Sequence, residues 1–286
     1  MATIPRAYLD NFNEVIKALS DDAKAKLEKA LESVDASDID ALRSELIAIL
    51  EAILLPYTDN AAAVAAVFYD GIRAYEGISD GFYALSDSRR KTATTIGAVY
   101  AYTKKHDTLD DVLKRQLVKQ VGYEIKLATN ECIEYNAKRD PLEPRWARVP
   151  QNTPVIYEPW SKEKGVTHNK ELAAKGTCLF CDLLASRGFD YHSKETASHA
   201  HDDCDCVIIP GFKKDTKVEG YDQEKYENEY TRADKAIREG KLSEDMQKRI
   251  AKAKQEHDAA YEAGETKVKW SSMNAILIVM REQQGA

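Results

Sequence analysis

The sequence is poor in the two residues that interrupt helices, with 13 glycines and 8 prolines among 286 residues. So few turn-forming residues favour long helices over many short strands. Long apolar runs are also missing, because the longest, Ala61 to Tyr69, is far short of the roughly 20 residues that a membrane span requires. The N-terminus has no basic segment followed by an apolar one, so we expect neither a secretion signal nor a membrane partner.

Basic charge is not in excess, since 41 Lys and Arg residues stand against 48 Asp and Glu residues and the net charge is −7. A surface that coats nucleic acid needs a basic stripe, so the composition argues against that class of protein. The sequence also contains no H-E-x-x-H, G-x-S-x-G, Walker or G-x-G-x-x-G motif. We therefore expect no enzymatic activity and no catalytic residues.

Helical spacing of apolar residues dominates the first 140 positions. One apolar stripe ends and a second begins at Ser20, whose hydroxyl is expected to cap a new helix. Pro56 is expected to end the helix that follows, and an alanine-rich helix comes after it. A long amphipathic helix begins near Leu109 and stops before Pro141. Cys132 lies on the apolar stripe of this helix and is expected to be buried.

Four of the five cysteines lie between residues 178 and 206, with two histidines beside the second pair. A C-x2-C motif places two thiolates on one turn, and the second pair returns at a spacing close to that of known zinc sites. Zinc prefers sulfur and imidazole ligands in a closed, tetrahedral structural site. The predicted candidates are Cys178, Cys181, His201, Cys204 and Cys206. We favour the first three with one of Cys204 and Cys206, and leave His199 outside the set.

Other interpretations compete with a structural zinc site. Disulfides are disfavoured because the sequence lacks a secretion signal. A thioredoxin-like motif needs a preceding strand, which residues 169–177 do not resemble, and the cysteines could also be reduced and unliganded. A catalytic zinc would need a general base and an open coordination position. No histidine has a glutamate two positions later, as zinc deaminases require, and Glu195 is the one carboxylate that could serve.

The chain after Asp140 differs from the chain before it, since five of the eight prolines fall between Pro141 and Pro159. We place a domain boundary there, with a helical N-terminal module over residues 1–140 and a Cys/His zinc-binding α+β module with a helical tail over residues 141–286. The predicted fold class is therefore mainly α with a small α+β zinc-stapled C-terminal module.

Within that second module we predict one short strand, Cys206 to Ile209, which Pro210 should end. In the tail, Ser243 is expected to cap a helix. The last apolar stretch, Ala275 to Met280, is expected to dock on the core.

A recurring pattern spans the cysteine-rich block: C-x2-C, a short helix reading L-A-S-R-G, a tyrosine with Ser-x-Glu, then His-x-x-Cys-x-Cys before a strand ended by proline. Its elements are Cys178, Cys181, Leu184 to Gly188, Tyr191, Ser193, Glu195, His201, Cys204, Cys206 and Pro210. In this pattern the chain resembles the MuF-like minor head, or head-morphogenesis, proteins of tailed bacteriophages, in the branch found in phages and prophages of actinobacteria. Weaker similarity extends to Tyr69, Asp70 and Arg73, to Arg148 to Pro150, and to Met280 and Arg281.

The resemblance implies a structural, low-copy virion protein that is needed for head assembly or for the start of DNA delivery. Its partners would be the portal protein, the major capsid protein or both, with incidental contact to packaged DNA. It would lie in the head interior or at the portal vertex, and in the host cytoplasm during assembly. One departure from the pattern is an insertion of about 25 residues, Gln151 to Lys175, before the C-x2-C motif.

Two other functions remain open at this point. One is a zinc-dependent enzyme or toxin that acts on nucleic acid, of the deaminase or nuclease class. The other is an intracellular zinc-ribbon binding module of the host.

Overall fold

The computed structural model describes residues 3–34, 39–87, 96–97, 101, 109–150, 179–191, 206–264 and 269–283. Within these ranges the chain forms seven helices and four short strands. Their bounds are β1 Thr3–Ile4, α1 Arg6–Leu31, α2 Ile39–Tyr75, α3 Asp111–Arg139, β2 Arg145–Val149, α4 Leu179–Ala185, β3 Val207–Gly211, β4 Lys217–Val218, α5 Gln223–Arg238, α6 Glu244–Glu262 and α7 Ser272–Gln283. The prediction of a mainly α fold is confirmed, and the zinc in its C-terminal part stays a prediction.

Helix α1 is continuous, so the predicted break at Ser20 is wrong. Phe12, Ile16, Ala23 and Leu27 follow one another at intervals of four and seven residues, which keeps them on one face across the serine. The Ser20 hydroxyl instead lies against Gly122 of α3. A Cβ atom at this position would be only 2.9 Å from the Ser20 Oγ, so a larger residue would not fit without a shift. The two helices can therefore approach closely at this glycine.

Helix α2 continues through Pro56, so the predicted helix end there is also wrong. A proline inside a helix leaves the carbonyl four residues earlier without its donor. That carbonyl belongs to Ala52, which is exposed and can be hydrated. The buried side chains Leu54 and Tyr57 continue the packed face on either side. The Thr58 hydroxyl also donates to the carbonyl oxygen of Leu54 at 2.7 Å. Packing therefore outweighs the local preference of proline.

By length and composition, α2 is the one helix in the described ranges that could cross a membrane, and the core helix of a soluble protein meets the same criterion. In this structure α2 packs along both α1 and α3. We call these three helices the helical region.

Helix α3 confirms the long helix predicted to begin near Leu109 and to stop before Pro141. From Val121 onward, however, it is buried on most sides and not along one apolar stripe. The Asp110 side chain caps it by accepting a hydrogen bond from the Leu113 amide at 2.8 Å, and Asp140 follows its last residue. Cys132 is fully buried in this helix, as predicted.

Strands β2 and β3 pair antiparallel, with Trp146 opposite Pro210 and Val149 opposite Val207. The strand therefore includes the proline that was predicted to end it. The backbone N–H and C=O groups of Trp146 hydrogen-bond to Tyr191, on the side away from β3. Trp146 and Pro210 therefore form a non-hydrogen-bonded pair of the antiparallel ladder. The proline nitrogen then points to the open edge of the sheet, where no donor is needed.

One hydrophobic core joins the helical region to the strands that follow it. Trp146 and Val149 of β2, with Ile208 and Ile209 of β3, belong to the same buried cluster as the apolar side chains of α1, α2 and α3. The boundary predicted after residue 140 thus lies between parts that share a core. The division of the chain into two modules stays a prediction.

The last three helices form a second, smaller cluster. Ser243 caps α6 as predicted, since its hydroxyl accepts a hydrogen bond from the Met246 amide at 3.2 Å. Helix α7 contains the apolar stretch that was expected to dock on the core. It packs mainly on α5 and makes smaller contacts with α6 and with α4, whose Leu184 belongs to the main core. The buried members of the cluster are Ala233, Met246, Ile276, Val279 and Met280.

Candidate metal centre

Two of the predicted metal ligands meet in the described part of the chain. Cys181 lies in α4 and Cys206 lies immediately before β3, and their Sγ atoms are 3.3 Å apart. Both side chains are buried. One cysteine from each predicted pair therefore contacts the other across 25 positions of sequence.

The distance between the two sulfur atoms is closer to that of shared metal coordination than to that of a disulfide. A disulfide bond is about 2.05 Å long. A tetrahedral zinc ion with Zn–S bonds of about 2.3 Å holds two sulfurs about 3.8 Å apart. The observed 3.3 Å, at which one thiol can also hydrogen-bond to the other, is about 0.5 Å below that value. The pair therefore fits two positions of a four-ligand zinc site.

The other predicted ligands, Cys178, His201 and Cys204, lie outside the described residues, as do His199 and Glu195. Among the residues that the structure does describe, no group of three or more His, Cys, Asp or Glu side chains is placed to hold a metal ion. The full ligand set and the zinc itself stay predictions.

Helix α4 is tied to the sheet by the chain that follows it. Gly188 adopts a φ of 60°, the left-handed conformation that favours glycine, and turns the chain after the helix. Tyr191 then exchanges backbone hydrogen bonds of 3.2 and 3.3 Å with Trp146 of β2. The Tyr191 hydroxyl returns to the helix and donates to the carbonyl oxygen of Leu184 at 2.7 Å. These contacts hold Cys181 over the sheet, and we call α4, β2 and β3 the thiol region.

Charged and sulfur-bearing groups surround the Tyr191 hydroxyl. Burial raises the pKa of Tyr191 to about 12. The positive charges of Arg187 and Arg148 oppose this increase in the pKa, whereas Cys206 and Cys181 add to it. The two cysteines and a buried arginine are thus electrostatic neighbours of one phenol.

A separate polar cluster lies at the end of α2. Arg73 is buried, with its Cζ 4.7 Å from the ring centroid of Phe82 and 5.1 Å from that of Phe212. Its guanidinium donates to the carboxylates of Asp80 and Asp140. The hydrogen bond from Arg73 holds the pKa of Asp80 below its ordinary value. This arginine joins α2, the segment after it and the end of α3.

Glu76 lies one turn beyond Arg73 and is also buried. Its Oε1 accepts hydrogen bonds from the Thr216 hydroxyl at 2.9 Å and from the Phe212 amide at 3.4 Å. Burial raises the pKa of Glu76 above its ordinary value. We call Arg73, Glu76, Asp80, Asp140 and Thr216 the Arg73 cluster.

An extended segment beyond the Arg73 cluster is bound to the helices by side chains. Asp70 accepts a hydrogen bond from the Ala84 amide at 2.9 Å. The Asn136 side chain accepts from the Leu85 amide at 2.8 Å and donates to the Leu85 carbonyl at 2.9 Å. Two helices therefore bind this segment much as a neighbouring strand would.

Sequence reasoning missed most of these polar residues. Tyr69, Asp70 and Arg73 were noted through the resemblance alone, and nothing local marks Glu76 or Asn136 as buried. A polar residue on an otherwise apolar helical stripe is the signal that could have found them.

Fold and site together define a mainly helical protein with a buried pair of thiols beside a two-stranded sheet. The chain belongs to the VG15 protein family, which matches residues 3–154 and 170–233, about three quarters of its length. This is a family of viral and phage genes, and membership indicates a phage protein. The unmatched residues 155–169 fall inside the insertion recognised at 151–175. No curated protein and no solved structure matches the chain.

Proposed function

We propose that this chain is a structural minor capsid protein of a tailed phage, required for head morphogenesis and associated with the portal or the inner capsid. Membership of the VG15 family carries this proposal, because it indicates a phage protein across both the helical region and the cysteine block. The Cys/His pattern supports the narrower assignment through its resemblance to minor head proteins. A net charge of −7 suits a protein that must not condense onto packaged DNA.

One structural zinc is part of the proposal. The 3.3 Å contact between Cys181 and Cys206 supports it, and it favours Cys206 over Cys204 as the third thiolate. Cys178 and His201 would complete the tetrahedral set. Both described thiols are buried, which suits a closed structural site better than a catalytic zinc with an open position for water. The zinc would hold α4 on the sheet and contribute folding free energy.

The proposed location is tested by quantitative mass spectrometry of purified heads. Copies of this chain are counted against copies of the portal protein in procapsids and in mature virions. We expect a few to some tens of copies per particle. Absence from both particles, with expression in infected cells, would overturn the assembly role and favour an enzyme or toxin.

The proposed role is tested by deleting the gene and complementing the deletion in trans. Wild-type protein and Cys132→Ser should restore packaged heads, because the Cys132 sulfur lies against the carbonyl oxygens of Ala62 and Leu85 and not against the Cys181–Cys206 pair. Cys181→Ser should not restore them. Equal restoration by Cys181→Ser would separate the zinc from the assembly role.

A further inference from the structure

Arg148 is a fully buried arginine among apolar residues of the sheet. Its strand partner is Ile208, and the flanking residues Ala147 and Val149 are buried and apolar. A guanidinium stays charged at all relevant pH values, and burying one is costly unless an anion lies close. We therefore expect this guanidinium to interact with the negatively charged groups of the buried layer in which it lies.

The register of the sheet identifies which face this is. Residues directly opposite each other on antiparallel strands project to the same face, and the face alternates at each residue. Arg148 is paired with Ile208, and Cys206 lies two residues before Ile208. Arg148 and Cys206 are thus assigned to one face.

Helix α4 covers that same face. Trp146 shares the face of Arg148, and its neighbour Tyr191 donates its hydroxyl to Leu184 of α4. The 3.3 Å contact with Cys206 places the Cys181 side chain on the side of α4 that faces the sheet. Arg148, Cys181 and Cys206 therefore belong to one buried layer between α4 and the sheet.

We infer that Arg148 is a positioning residue of the metal centre, the cation that balances the negative charge of the metal-bound thiolates. The inference rests on the proposed zinc site. Zinc with three thiolates and a neutral histidine has a net charge of −1, and with four thiolates −2. Such a buried anion is stabilised by a fixed guanidinium beside it, and groups beyond the ligands commonly set metal affinity.

Asp182 is the competing anion in this layer. It follows Cys181 in α4 and its side chain is buried. If the charge of Arg148 serves Asp182, replacing the arginine would lower the stability of the fold without a specific effect on zinc. The experiment must therefore measure zinc affinity and stability separately.

The test compares Arg148→Met with Arg148→Lys in the full chain, using chelator competition to measure zinc affinity. Arg148→Met should weaken zinc binding by about tenfold to one hundredfold, the usual effect of losing a group that supports metal ligands. Arg148→Lys keeps the positive charge and should recover most of the affinity. Cobalt substitution gives an independent signal, since weaker thiolate binding lowers the sulfur-to-cobalt charge-transfer band at a given cobalt concentration.

Arg73→Met is the matched control, because it removes the buried guanidinium near the opposite end of β3. Six residues of extended chain, about 20 Å, separate Phe212 beside Arg73 from Cys206. This variant should lose stability and keep wild-type zinc affinity. If Arg148→Met does not fold, Arg148→Gln against Arg148→Lys makes the same comparison.

The outcomes separate this inference from the zinc proposal. If wild-type protein and Cys181→Ser bind zinc equally, the zinc site itself is wrong. If Cys181→Ser loses zinc while Arg148→Met or Arg148→Gln keeps affinity within twofold of wild type, the zinc site stands and the role of Arg148 is wrong.

Discussion

The helical region and the thiol region bury polar groups in opposite ways. In the helical region, the Arg73 guanidinium donates to two carboxylates of the same chain, Asp80 and Asp140. In the thiol region, two sulfur atoms are brought to 3.3 Å, and neither can neutralise the other once ionised. The first region can therefore be stable on its own side chains. The second should depend on an added cation.

Removing one thiol should have the largest effect. A structural zinc contributes on the order of 10 kcal/mol to the folding of a small zinc domain. Cys181→Ser should therefore lose its zinc and unfold the thiol region first. The helical region shares its core with β2 and β3, so it should lose part of its stability as well, but less than the thiol region. Inductively coupled plasma mass spectrometry measures the zinc content per chain. Amide hydrogen exchange over residues 179–191 and 206–211 measures the unfolding of the thiol region.

Cys132→Ser is the control for that experiment. It replaces a buried thiol of α3, whose Sγ lies 3.2 Å from the carbonyl oxygen of Ala62. It should keep one zinc per chain and wild-type exchange in the thiol region. Full zinc retention by Cys181→Ser would remove the proposed difference between the two regions.

Breaking the Arg73 cluster should have the next largest effect, in the opposite region. Arg73→Met removes the cation from the exposed carboxylate of Asp80 and from the buried one of Asp140. Breaking the buried pair with Asp140 lowers the free energy of unfolding by about 3–5 kcal/mol. Urea denaturation measures this loss, and zinc content should not change. A loss below 1 kcal/mol, or a parallel loss of zinc, would show that the regions are not independent in this respect.

Sequence patterns predicted the parts of this fold that depend on local spacing. The periodicity that marks α3 also marks Cys132 as buried, because a helix places every third or fourth residue on one face. The two cysteine motifs are also short local patterns. Their spacing predicted that Cys181 and Cys206 belong to one candidate metal site.

Local rules failed where tertiary packing decides. Pro56 was predicted to end a helix, but α2 continues through it because the residues on either side are packed in the core. Pro210 was predicted to end a strand, but β3 includes it because its nitrogen lies at the open edge of the sheet. The buried charges were missed for the same reason. Arg148 in a short strand and Glu76 in a helix are residue types that are usually exposed, and only the assembled core shows otherwise.

The contact between Asn136 and the extended segment provides a smaller test within the helical region. Asn136→Ala removes two hydrogen bonds to the backbone of Leu85. The N–H and C=O groups of Leu85 must then hydrogen-bond to water. We expect a loss of about 1–3 kcal/mol in the free energy of unfolding, and faster amide exchange at Leu85. Asn60→Ala, at an exposed position of α2, should change neither quantity, and unchanged exchange in Asn136→Ala would contradict this account of the segment.

Glu76 offers the smallest effect and a defined pH dependence. Because burial raises its pKa in the folded protein, the folded state holds the proton more tightly than the unfolded state does. Ionisation of Glu76 therefore lowers the free energy of unfolding as the pH rises from the ordinary value of 4.5 through the raised one. Glu76→Gln keeps the acceptor for Thr216 and cannot ionise, so it should be more stable than wild type at pH 7, by about 1 kcal/mol or less. The difference should vanish as the pH falls to about 4, below both pKa values.

Urea denaturation between pH 4 and pH 7 measures this difference in stability, with Glu14→Gln at an exposed position of α1 as the control. Lower stability of Glu76→Gln at pH 7 would mean that the ionised carboxylate, facing Lys213, stabilises the joint between α2 and the residues after β3.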